Sequence, residues 1–115
     1  MAKYRGVLSC STLAGDAVRN QAGEDLGNVE EIMINLETGT VAYVVLSFGG
    51  ILGVGDKLFA VPWKAFSISE EEHKFILDVP RERLENAPGF DKDNWPDTSD
   101  PMWNTNTESY WQKAM

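Results

Sequence analysis

The order of apolar and polar positions along the chain predicts a series of β-strands joined by glycine-bearing turns. From Asp25 to Leu36 the apolar residues are Val29, Ile32, Ile34 and Leu36. From Ile32 onward they recur at every second position, the period of a strand with one buried face. Between Val29 and Ile32 the phase slips by one residue across Glu30-Glu31, which a β-bulge would restore. Gly27, within the same run, marks a sharp bend or a close approach of two backbones. Glu37-Thr38-Gly39 has the make-up of a hairpin turn. Val41 to Phe48 (VAYVVLSF) is β-branched, aromatic and almost continuously apolar, as expected of a strand buried on both faces at the centre of the core.

The flanks extend the pattern. Tyr4 to Leu13 reads as a short first strand or an ordered lead-in. Leu13, Ala17 and Val18 mark the first barrel strand, and Asn20 to Gly23 a turn. Leu58 to Val61 is a strand stopped by Pro62, with Trp63 and Phe66 packing beneath it. Ser69 to His73 is a polar turn, after which Phe75, Leu77 and Val79 alternate as the last strand of a hairpin. Pro80 followed by RERLENA predicts one or two helical turns, ended by Pro88-Gly89.

From Phe90 the composition changes to acidic residues, Asn and Thr, interleaved with Trp95, Trp103, Tyr110 and Trp111. Disordered tails are poor in aromatics, so these rings are expected to dock, on the barrel or on a second subunit. Ser109 to Met115 has the outline of a short terminal helix.

Charge narrows the partners. The 115 residues fit one small domain, and their formal net charge of −8 repels phosphate backbones and anionic lipid surfaces. Direct nucleic-acid binding is therefore not expected, while a basic protein partner is compatible. The single cysteine, Cys10, forms no internal disulfide, as in a reducing cytoplasm. No run approaches the ~20 apolar residues of a membrane span. Val7-Leu8-Ser9-Cys10 has the outline of a lipoprotein processing site, but no apolar segment of ~7–15 residues precedes it.

Candidate chemistry is sparse. GGILGVGDK (49–57) fails as a phosphate loop: Asp56 follows the last glycine where Lys and Ser or Thr are needed, and no helix follows. Asp91, Asp93, Asp97 and Asp100 fail the EF-hand pattern, since Trp95 and Pro96 occupy its fifth and sixth positions. One histidine, His73, and one cysteine supply too few ligands for zinc and no evident nucleophile–base pair. No catalytic, cofactor-binding or metal-ligating residue is assigned, and no cofactor is expected. Interface chemistry is the remaining signal. Trp95, Trp103, Tyr110 and Trp111 are of types enriched at binding hot spots, and Ile51 and Leu52 lie in the glycine loop.

Leu26-Gly27-Asn28-Val29-Glu30-Glu31-Ile32, Gly39, Val44-Val45, Phe48-Gly49-Gly50, Gly53 and Val61-Pro62-Trp63 occur in an order that resembles the PRC-barrel family. That family includes the barrels of the photosynthetic reaction-centre H subunit and of the ribosome maturation factor. Leu84 to Phe90 is similar to the closing segment of stand-alone bacterial members. The resemblance implies a mainly β fold, a small antiparallel β-barrel, to which the residue pattern adds a short C-terminal helix and an aromatic, acidic tail. Residues 1–12 would be a lead-in or first strand, 13–90 the barrel and 91–115 the extension. The resemblance further implies a binding or assembly module with no shared enzymatic activity. From the residues themselves, the lone Cys10 fits the cytoplasm, and the exposed barrel edges, the glycine loop and the tail aromatics are expected to form a homodimer that binds a protein partner. A second reading is a ligand-binding or catalytic barrel whose pocket is closed by the aromatic tail. A third is an RNA-processing accessory acting through a ribosomal protein.

Overall fold

A computed structural model describes residues 9–48, 57–69, 74–91 and 94–114. The elements are α1 (Cys10–Leu13), β1 (Ala17–Arg19), β2 (Asp25–Asn35), β3 (Thr40–Phe48), β4 (Lys57–Pro62), a 3-10 turn (Trp63–Ala65), β5 (Phe66–Ser69), β6 (Lys74–Leu77), α2 (Arg81–Glu85) and α3 (Pro101–Ala114). The strands form one curled, mainly β sheet in the order β4-β3-β2-β1-β6-β5. It is antiparallel except where β1 meets β6, pairing Val18 with Phe75 and Arg19 with Ile76 in parallel. The sheet is thus mixed rather than purely antiparallel, because curling brings the first strand beside the last.

β2 and β3 form the longest hairpin, and its irregularities shape the domain. The bulge expected at Glu30-Glu31 is present as a register shift between Val29 and Glu31. Gly27 has φ +99°, and a Cβ there would lie 2.1 Å from the Ser47 carbonyl oxygen, so only glycine lets the two strands meet. A second shift, between Met33 and Ile34, was not legible in the alternation. Beyond it the hairpin leaves the core. Ile34 is 44% exposed and Leu36 93% exposed, where period-two spacing placed both on the buried face.

The lead-in differs from expectation too. Cys10–Leu13 is a helical turn, not strand, because Ser9 caps it by accepting the Thr12 N–H at 3.2 Å. Tyr4 lies outside the described residues, as do the 49–56 loop with Ile51 and Leu52, Glu70 to His73, and Asp93. The first strand holds Ala17 and Val18, whereas Leu13 packs into the core from α1. Val79 is buried but leaves the ladder after Leu77. Its carbonyl instead accepts from Asn20 Nδ2 at 3.0 Å. Asn20 also donates to Glu24 Oε1 and accepts the Glu24 N–H, so this buried amide ties the β1–β2 turn to the end of β6.

The core gathers Val18, Leu26, Val29, Val44, Leu46, Phe59, Val61, Phe75, Leu77 and Leu84. Trp63 and Phe66 stack edge-on against Phe75, with centroids 6.1 and 5.6 Å away. Val44 and Leu46 face this core, so Tyr43 and Val45 point to the opposite side of β3. Both are nevertheless buried, Val45 at 1% exposure. β3 is covered on both faces, as its nearly continuous apolar sequence predicts.

Candidate functional site

The outward side of β3 and β4 is covered by the C-terminal extension. Along β4 the outward-directed backbone groups fall at alternate residues. Leu58 exchanges two hydrogen bonds with Phe90, each 2.9 Å. The Ala60 carbonyl accepts from Trp111 Nε1 at 3.1 Å. Pro62, next in this alternation, has no N–H to satisfy. Gly89 permits the Phe90 approach, since a Cβ there would come within 2.9 Å of the Leu58 carbonyl oxygen.

The helix that delivers Trp111 has legible causes. Asp100 is its N-cap, accepting the Met102 N–H at 2.9 Å on Oδ1 and the Asn104 N–H on its carbonyl. Pro101 occupies the first helical position, where no donor is lost. Just before it, Ser99 donates from both its hydroxyl and its backbone to Asp97 Oδ1, holding that carboxyl below the usual carboxylate range. Trp103, Thr107, Tyr110 and Trp111 then recur at helical spacing on one face. Thr107 and Trp111 are buried, while Trp103 and Tyr110 are half-buried. The helix is therefore 14 residues long, where a short one from Ser109 was expected.

Between α3, the start of β3 and the 3-10 turn lies a cleft of about 750 Å³. Its lining includes Tyr43 from β3, Trp63 and Lys64 from the 3-10 turn, and Asn104, Glu108, Trp111 and Gln112 from α3. The Tyr43 ring stacks edge-on against Trp103 at 5.3 Å, and its hydroxyl donates to Asn104 Oδ1. Asn104 in turn donates to the Thr98 and Asp100 carbonyls at 2.8 and 3.0 Å, so its amide is fully engaged. Tyr110 donates to the Arg83 carbonyl, fastening α3 to α2.

Burial, and then the negative charge of Glu108, raise the Tyr43 pKa above its ordinary value of 10.0. Folding thus favours the protonated hydroxyl. This contribution is complete below about pH 10 and is lost as pH rises beyond it. Tyr43→Phe should cost about 1 kcal/mol at neutral pH, because Asn104 loses its donor. Thermal melts from about pH 9 to 11 should fall more steeply for the wild type than for this variant. Parallel curves would show that the hydroxyl does not anchor the helix.

Of the sequence-derived interface residues, Trp103, Tyr110 and Trp111 share α3. Trp95 is apart from them, packed on Phe90 with centroids 5.0 Å apart and itself 39% exposed. Ile51 and Leu52 lie outside the described residues. Tyr43, Asn104 and Glu108 were not singled out from sequence, and Trp63 was read only as a packing and motif residue, since the four come from three elements far apart in the chain. Among the described residues no group of three or more His, Cys, Asp or Glu side chains is placed to hold a metal ion. No helix among them is long and apolar enough to cross a membrane.

These elements and this topology have a counterpart in sequence families. The model of the PRC-barrel domain matches residues 5–84, and the chain belongs to that family. The match ends within α2, so Phe90 and α3, which cover the β4 edge, lie beyond the matched region. No curated protein matches the chain.

Proposed function

We propose that this PRC-barrel chain is a non-enzymatic interaction and assembly module that forms a symmetric homodimer and engages a protein partner. The observation that carries this reading is the apolar tip of the β2–β3 hairpin. Ile34 is 44% and Leu36 93% exposed there, at the end of the paired β2 and β3 strands. Two apolar side chains exposed two residues apart on one hairpin offer the start of an apolar contact patch. The sheet edges add support. The β4 edge is occupied by Phe90 and Trp111, whereas β5 ends the sheet on the other side and pairs, among the described residues, with β6 alone. A two-fold axis is the commonest way to close such a contact. On this reading the barrel runs to residue 90 and the 91–115 extension completes it. The module works in the cytoplasm, where Cys10 stays a thiol.

Light scattering at micromolar concentration should give twice the chain mass. The double substitution Ile34→Asp and Leu36→Asp should give a monomer melting within a few degrees of the wild type. A wild-type monomer, or a double variant that remains dimeric, would refute self-association through the tip.

A further inference from the structure

We infer that the cleft between α3 and the 3-10 turn is a receptor for an arginine side chain presented by a partner protein. This rests on the interaction-module reading and names what that partner offers. The cleft brings together three aromatic residues, Tyr43, Trp63 and Trp111, and one carboxylate, Glu108. Tyr43 and Trp111 are buried, so half-buried Trp63 is the most accessible of the three. A guanidinium stacks on an indole face through its plane and its charge. Glu108, in the same lining and exposed, has two oxygens for a forked, charge-assisted pair.

Aromatic surface, the Glu108 carboxylate and overall charge favour a cation as the ligand. An anion would need donors, and those nearest are already used. The Tyr43 hydroxyl donates to Asn104, the Asn104 amide donates to the Thr98 and Asp100 carbonyls, and the Trp111 indole donates to Ala60. Lys64, exposed at the rim, the Gln112 and Asn35 amides and the Trp63 indole are the donors left in the lining, and Lys64 is the one that carries charge. Glu108 and three aromatic residues suit a cation, and the chain's net charge of −8 draws one toward them. A volume of about 750 Å³ holds an arginine side chain together with backbone on either side.

The test is an NMR titration of the full chain with a blocked Gly-Arg-Gly peptide, following the tryptophan indole protons. The same peptide with citrulline, which keeps the shape and removes the charge, is the control. The arginine peptide should shift the Trp63 and Trp111 signals saturably, and the citrulline peptide should bind at least tenfold more weakly. Glu108→Gln, at an exposed position, should melt like the wild type and lose about tenfold in affinity for the arginine peptide, some 1.4 kcal/mol. Lys64→Ala should bind it as tightly or more tightly. Equal binding of the two peptides, indifference to Glu108→Gln, or weakening by Lys64→Ala would overturn the proposal. Benzyltrimethylammonium displacing the peptide at comparable concentration would also overturn it, by showing a site for free organic cations. None of these outcomes bears on the dimer, which is read independently from the chain mass.

Discussion

Replacing Val45 with aspartate is expected to cost about 4 kcal/mol or more, the range of a charge buried without a partner. Val45 is 1% exposed, and its cross-strand neighbours are Glu31 and Ala60. Neither offers positive charge, and Glu31 adds repulsion. Total stability of a domain this size is roughly 5–15 kcal/mol, so the variant keeps a small fraction of it at best. At about 4–8 °C per kcal/mol, the melting temperature should fall by more than about 15 °C, or the protein should be unfolded at room temperature. Melting within a degree or two of the wild type would contradict the assignment of β3 as a strand buried on both faces.

The second large effect belongs to Trp111. Alanine there should cost about 3–5 kcal/mol, because the residue is 2% exposed, belongs to the core cluster and donates to the Ala60 carbonyl. Trp111→Phe retains most of the apolar volume and loses the indole donor, and should cost about 1–2 kcal/mol. Urea denaturation of both variants separates the two contributions. A tail that merely trails from a finished barrel would give two variants indistinguishable from the wild type. Truncation after Phe90 opens the core on this account, so it tests folding before it tests any interface.

Much of the fold was legible because local pattern and tertiary role agree. The Val41 to Phe48 run, the bulge at Glu30-Glu31, the turn at Gly39 and the helix after Pro80 each follow from a period, a phase slip or a residue that only one conformation suits. The parallel β1–β6 pair was not legible, since a long-range partner leaves no mark in a three-residue strand. Ile34 and Leu36 misled because a second bulge, after Met33, shifts the register without a visible break in alternation. In α3, the Asp100-Pro101 start and the 103, 107, 110, 111 spacing were both present. Asn and Thr are poor helix formers, and their abundance at 104–107 masked that signal.

The site was legible only in part. Aromatic residues in an acidic extension announced docking, and the structure shows where Trp103, Tyr110 and Trp111 dock. The cleft itself depends on Tyr43, Trp63 and Glu108 meeting across three elements. No spacing along a chain encodes that meeting, because it follows from how α3 crosses the outward side of β3 and reaches the β4 edge.

The central claim is that the extension completes the barrel by inserting Trp111 against β4. The indole proton of Trp111 tests it most directly. There are four tryptophans, and Trp111→Phe identifies the signal by its loss. Bound to the Ala60 carbonyl at 3.1 Å and 2% exposed, that proton should exchange with solvent far more slowly than the Trp95 signal, and should show nuclear Overhauser contacts to Ala60 and Val61. An indole proton exchanging as fast as that of Trp95, with no contact to β4, would contradict the account.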